Sequence, residues 1–457
     1  MTPVYEALFG TAATHPERPC LLLEDGTVLS YGDVDHRAAC MAGGLAAHGV
    51  VAGDRVVVHV GKSPDAVALY LACLRSGAVH VPLNTAYTRA EVGAFVDDAA
   101  AALFVDDDLL PTLATSAVDD VAPRSGDDWA AMLYTSGTTG RSKGAMLSCD
   151  NLVSNARVLH DAWGFTPDDV LVHVLPVFHV HGLFVALHCA FLAGAAVRFH
   201  TRFDPSAVVD DLRRSTVMMG VPTHYHRLLD QTGLDPDDCR GMRLFTSGSA
   251  PLLPERHDQF SERTGHRIVE RYGMTETMIL TSNPLDGERV AGTVGFPLPG
   301  VDLRIGADEL VEVRTDGLFL GYWQEPDKTA ASMTDDGWFV TGDVGSLDDD
   351  GRLTLAGRQS DMIISGGLNI YPKEIEVVLD AVDGVDESAV VGVPDADFGE
   401  SIVAVIVGSA DEDTLAAACE NSLARFKHPQ RYRFVDALPR NAMGKVQKVE
   451  LRREISS

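Results

Sequence analysis

The chain has 457 residues, 46% of them hydrophobic, with 66 acidic against 37 basic side chains and a formal net charge of -29. That length exceeds a single core and suits one large domain plus a smaller one. The acidic balance argues against nucleic acid or an anionic membrane surface as a main partner, because both carry the same sign of charge.

The N-terminus, "MTPVYEALFGTAATHPERP", carries Glu6 and lacks a basic leader followed by an apolar core, so it does not read as a secretory signal. Short apolar runs such as "DRVVVHV" and "DVLVHVLP" alternate with stretches such as "SPDAVALYLACLRSG", whose apolar positions recur at helical spacing, and this predicts α/β layers. Gly49 and Gly77 stand where left-handed helix caps are needed. "GLFVALHCAFLAGAAVRFH" is interrupted by His188 and falls short of a spanning helix of about 20 residues, so it reads as a buried helix. Acidic runs at 106–108 and 348–350 read as solvated loops. Beyond residue 300 the texture changes to short strands and turns, and from Asp361 a compact α/β section runs to "LPRNAMGKVQK". The boundary falls near "GRQSD", 357–361. The seven cysteines have no paired spacing for a metal or redox dithiol and read as reduced thiols of a cytoplasmic protein.

One segment concentrates chemistry. In "YTSGTTGRSKGAM", 134–146, glycines at 137, 140 and 144 let backbone amides approach a ligand, Thr135, Ser136, Thr138 and Thr139 add hydroxyls, and Lys143 adds a mobile cation. These are the parts of a phosphate cradle. "WAAMLY" reads as a strand entering it and "MLSCDNLVSNARVLHDAW" as a helix leaving it, capped near Ser148. It is not the P-loop pattern, which needs lysine directly after its second glycine, since Gly140 is followed by Arg141.

With "RYGMTET" (271–277), "TGDVG" (341–345), "GRQSDMIISGGLNIYPKEIE" (357–376) and "PRNAMGK" (439–445) following in order, the chain resembles the adenylate-forming superfamily of acyl-CoA synthetases, peptide-synthetase adenylation domains and beetle luciferases. "VPLNTAYT", "LPVFHVHGLF", "GVPTHYHRLL" and "FTSGSAPLLP" look closest to malonyl-CoA synthetases. The resemblance implies an α/β fold: a large multi-subdomain ATP- and acyl-binding domain, 1–358, and a small mobile C-terminal α+β domain, 359–457, that completes the site. It implies two half-reactions. A carboxylate attacks the α-phosphate of ATP and expels pyrophosphate, and the thiol of coenzyme A then attacks the acyl-adenylate.

Residue by residue, the resemblance implies that Thr135, Ser136, Gly137, Thr138, Thr139, Gly140 and Lys143 wrap the β- and γ-phosphates, with Thr275 at the α-phosphate and Glu276 holding Mg2+. Tyr272 and Gly273 would line the adenine slot, with Ser249 and Ala250 also at the nucleotide. Asp343 would accept from the ribose hydroxyls beside Arg358, and Lys445 would bridge the α-phosphate and the attacking carboxylate. Gly366 and Gly367 would pass the pantetheine arm after a domain rotation at a hinge, where Ser360 stands in place of the usual Asp or Lys.

For the acid, a second carboxylate calls for an arginine fork. The resemblance implies Arg227, expected to be buried, with Arg243 in reserve and His181, Ser249 and Met274 as further pocket positions. His179 and His181 share a face but lack further ligands nearby for a metal. The implied acid is malonate or methylmalonate. A short or medium monocarboxylic acid, and a stand-alone enzyme loading a carrier protein, stay open; no attached carrier segment is present.

Overall fold

The computed structural model describes residues 4–135, 142–365, 368–395, 397–441 and 445–456. Local signals set its elements. The helix Pro64–Ser76 starts where Ser63 Oγ accepts from the Ala66 amide, and it ends at Gly77, whose φ of 73° lies in the left-handed region that L side chains avoid. The strands it joins, Arg55–His59 and Val79–Pro82, pair in parallel, as the alternation of apolar runs and helices predicts.

Among the described residues the strands form four sheets. A nine-stranded sheet has a parallel centre made of Pro19–Leu23, Ala196–Phe199, Val170–His173, Val217–Gly220, Leu244–Ser247 and Val269–Met274. Beside it stands a six-stranded sheet that includes Trp129–Thr135, Lys143–Ser148 and, at its edge, Gly321–Tyr322. A four-stranded antiparallel sheet follows and ends in Leu353–Arg358. After the 3-10 turn Gln359–Asp361, which contains Ser360, the small C-terminal domain is built on a sheet whose central strand, Gly399–Gly408, pairs along its length with the edge strand Val385–Asp395. Its helices Pro372–Asp380 and Glu412–Ser422 bury Ile375, Leu379, Leu415 and Cys419.

The apolar segment that ends at Gly194 is a buried helix, as the sequence predicts. His181–Leu187 winds as a π-helix that runs into the α-helix His188–Ala193, and both are buried. His188 tolerates that place because its Nε2 meets Tyr70 Oη at 2.7 Å, and burial lowers its pKa to about 3, keeping it neutral. No helix among the described residues is long and apolar enough to cross a membrane.

The surroundings of the glycine-rich segment differ from expectation. Trp129–Thr135 is followed by an antiparallel partner, Lys143–Ser148, with Thr135 opposite Lys143, so the segment joins two strands rather than a strand and a helix. The helix Cys149–Ala162 begins only after Ser148, which caps it in a reciprocal box with Asn151. Met146 and Leu147 continue the helix's apolar pattern in the sequence, and only pairing with the preceding strand draws them into the sheet.

Candidate active site

The nucleotide half is built on the turn between the antiparallel strands Val269–Met274 and Met278–Ser282. Gly273 must lack a side chain, since a Cβ there would sit 2.1 Å from the Met278 carbonyl oxygen. The turn carries the half-buried Thr275 and the buried Glu276. Glu276 Oε1 accepts from Tyr322 Oη at 2.9 Å and from Thr135 Oγ1 at 3.3 Å. Among the described residues no basic side chain forms an ion pair with Glu276, and no group of three His, Cys, Asp or Glu residues could cage a metal. A lone buried carboxylate among hydroxyls fits Mg2+, a hard cation that takes one or two protein carboxylates and completes its shell with phosphate and water. Lys143 stands with its Nζ 4.6 Å from the Tyr322 ring centroid. Ser136, Gly137, Thr138, Thr139 and Gly140 lie outside the described residues, as do Gly366 and Gly367.

Strand register brings Asp343 opposite Arg358, and Arg358 Nε meets Asp343 Oδ1 at 2.8 Å. Tyr272 Oη donates to the other carboxylate oxygen, so the first of the two positions expected at the adenine is tied to the carboxylate expected at the ribose. Burial raises the pKa of Asp343, against the pull of Arg358. Lys445 approaches from the C-terminal domain, its segment held by Lys445 N donating to Asn441 Oδ1 at 3.0 Å. Desolvation and then the Arg358 charge lower the Lys445 pKa, while Asp343 and Asp361 oppose the shift. The two motifs, a hundred residues apart in sequence, therefore meet within electrostatic range.

The residues expected to line the acyl pocket gather where the parallel strands Val170–His173, Val217–Gly220, Leu244–Ser247 and Val269–Met274 end, the edge at which open α/β sheets bind ligands. His181 Nδ1 and Ser249 Oγ are 3.2 Å apart, joining two expected pocket positions. Ser249 has φ 71°, a left-handed conformation that serine rarely adopts. Ala250, next to Ser249, and Met274, the last residue of the strand Val269–Met274, are half-buried. Burial lowers the pKa of His181 well below its ordinary value, brings His179 to about 4 and brings His224 to about 3. All three imidazoles are uncharged at neutral pH.

The arginines depart from expectation. Arg227 is exposed on the helix Pro222–Leu229 rather than buried, because that helix turns Tyr225 and Leu228 inward. Its charge nevertheless reaches the half-buried His224. The reserve position, Arg243, is fully committed elsewhere: Nε and Nη2 grip Asp169 at 2.8 and 2.6 Å, and Nη1 donates to the Trp163 carbonyl at 2.8 Å.

Sequence reading missed Arg271. It is only 4% exposed, its Nε and Nη2 have no hydrogen-bond partner, and no carboxylate pairs with it among the described residues. Its charge bears on His181, and its guanidinium presses against Gly248, next to Ser249. The signal was an arginine inside the buried strand segment "IVERYGM". Lys62 was missed as well: it donates to the His173 carbonyl at 2.9 Å and lies 4.6 Å from the Phe199 ring centroid, without a carboxylate in ion-pair range among the described residues.

Known proteins resemble this chain over most of its length. The model of the AMP-binding enzyme family matches residues 8–323, and that of the AMP-binding enzyme C-terminal domain matches residues 374–445. Malonate–CoA ligase of Arabidopsis thaliana is 34% identical over 99% of this chain and 89% of its own length. Sulfoacetate–CoA ligase of Cupriavidus necator is also 34% identical, over 96% and 95%. The crystal structure of ATP-bound MatB from Rhodopseudomonas palustris superposes with a TM-score of 0.95 at 44% identity, covering 100% of this chain and 99% of that one.

Proposed function

Because the chain belongs to the AMP-binding enzyme family of AMP-forming acid–thiol ligases, we propose that it joins malonate, or its methyl-substituted homologue, to coenzyme A at the expense of ATP. The observation that carries this reading is the buried Arg271 guanidinium without an anionic partner, beside the His181–Ser249 pair. A buried lone charge costs several kcal/mol. A substrate bearing a second carboxylate relieves that cost, and an arginine fork can take it through two parallel bonds. The neighbouring histidines, being neutral, cannot supply the charge. Arg227 would then serve at the exposed rim rather than as the buried anchor.

In the first half-reaction one malonate carboxylate oxygen attacks the α-phosphorus of ATP, and pyrophosphate leaves with the bonding pair. Two anions must meet, so the chain's tasks are charge neutralisation and alignment. Lys445, with Arg358, would offset the repulsion; Asp343 would accept from the ribose hydroxyls; Tyr272 and Gly273 would border the adenine. Thr135 to Lys143, with Thr275, Ser249 and Ala250, would hold the phosphates and the nucleotide. Glu276 would hold Mg2+, which when bound supplies further neutralisation of the phosphates. In the second half-reaction the coenzyme A thiol attacks the acyl carbonyl and AMP leaves. Gly366 and Gly367 would border the pantetheine arm once the unit 359–457 turns at Ser360. The acid, ATP and coenzyme A are the small-molecule partners in this reading.

The test is ATP- and coenzyme A-dependent AMP formation with malonate, methylmalonate, succinate, acetate, benzoate and octanoate, in the wild type and in Arg271→Met. A preference for malonate or methylmalonate that disappears in the variant supports the reading. A preference for benzoate or octanoate overturns it.

A further inference from the structure

Tyr322 touches both halves of the phosphate-binding apparatus. Its Oη donates to Glu276 Oε1 at 2.9 Å, and its ring lies under Lys143 with Nζ 4.6 Å from the centroid. These partners come from different sheets: Glu276 from the turn between Val269–Met274 and Met278–Ser282 of the nine-stranded sheet, Lys143 from the six-stranded one. The tyrosine's own backbone is stitched to both. The Phe319 amide donates to the Glu276 carbonyl at 2.8 Å, the Trp323 amide to the Gly144 carbonyl at 2.7 Å, and Tyr322 pairs with Ala145. Gly321, at φ 131°, allows the chain to turn into that short edge strand. Its amide neighbour, Tyr322 N, is fixed by Thr329 Oγ1 at 2.9 Å.

A core tyrosine needs only one partner for its hydroxyl, and water or a backbone carbonyl would serve. This one spends its hydroxyl on the carboxylate proposed to meet the metal and its ring on the lysine proposed to meet the phosphates. We infer that Tyr322 is a positioning residue that fixes the Glu276 carboxylate and the Lys143 ammonium relative to each other across the two sheets, so that metal and nucleotide are bound as a unit. The ring holds the lysine by cation–π attraction, and the hydroxyl orients one carboxylate oxygen, leaving the other to coordinate. The inference rests on the proposed roles of Glu276 and Lys143, and it predicts a division of labour between the two ends of one side chain.

Nucleotide binding to the full chain, measured calorimetrically without turnover, tests it with ATP plus Mg2+ and with ATP plus EDTA. Tyr322→Phe keeps the ring and loses the hydroxyl. It should weaken Mg2+·ATP binding about tenfold, the scale of one hydrogen bond to a charged group, and leave metal-free ATP binding within about twofold. Tyr322→Leu should weaken both. In a Glu276→Gln background, Tyr322→Phe should add nothing further to the loss of Mg2+·ATP binding, because the hydroxyl acts through that carboxylate. Melting temperatures of each variant separate misfolding from lost positioning. If Glu276→Gln itself leaves Mg2+·ATP binding unchanged, the role assigned to Glu276 fails. If Glu276→Gln weakens it while Tyr322→Phe does not, or if the two losses simply add, the positioning role of Tyr322 is overturned and the role of Glu276 stands.

Discussion

Gly248 packs against Arg271 so closely that a Cβ on Gly248 would lie 2.5 Å from the guanidinium carbon and 2.6 Å from Nε. The glycine is therefore a spatial requirement of the arginine's position. Gly248→Ala should push the guanidinium aside, and with the surroundings fully packed a shift of about 1 Å can cost up to about 100-fold in malonate turnover. Acetate, which has no second carboxylate, should be affected far less. Comparing kcat/KM for the two acids checks this; equal losses would count against a specific contact.

Arg271→Met should make the free enzyme more stable while removing its use of malonate. An apolar side chain of similar length ends the desolvation cost of a buried unpaired cation, and exchanges of this kind are neutral or stabilising by about 1–4 kcal/mol. Urea unfolding alongside the acid panel tests both. A large loss of stability would mean that the guanidinium has compensation within the fold.

Lys62 is a second cation at this edge. Its ammonium has a backbone carbonyl and an aromatic ring for company, and its charge reaches His173 and His224 at the same sheet edge as Arg271. Lys62→Met should raise the KM for malonate several-fold at low salt with little change in kcat, and the difference should shrink as salt screens the charge. A KM effect identical for acetate and malonate would remove Lys62 from the account.

Stability should depend on Glu270. Burial raises its pKa from 4.5 to about 8, against a hydrogen bond from the Gly292 amide at 3.0 Å and the charge of Lys373. Between those two values the folded state holds a proton that the unfolded state has released, so stability falls as pH rises through the window. Glu270→Gln keeps the acceptor for Gly292 and removes the titration. Its melting temperature should decline less than that of the wild type between pH 6 and pH 9, and parallel curves would refute the assignment.

The reaction class was legible because it is written in short, contiguous segments. Glu276, Asp343, Arg358 and Lys445 were each identified from their motifs, and three of them converge: Asp343 binds Arg358, and Lys445 lies within range of both charges. Helix limits at Ser63, Gly77 and Ser148 were equally readable, since a cap depends on residues within a turn of itself. The hairpin after Thr135 was not, because Lys143–Ser148 becomes a strand through its neighbour rather than through its own pattern.

The arginines mark the limit most clearly. Arg227, Arg243 and Arg271 carry the same side chain and all stand near strand ends or the helices that follow them. One is exposed, one is spent on an aspartate 74 positions away, and one is buried without a partner. The sequence by itself determined the fold family and the adenylate-forming CoA-ligase class, and it proposed the groups that meet ATP, because these are carried by local motifs whose geometry the backbone sets within a few residues. Only the tertiary structure decided which guanidinium is buried without a partner and that Tyr322 touches both Glu276 and Lys143. Burial and pairing of a charge are properties of the neighbours that packing brings from distant strands, and no short stretch of sequence contains them.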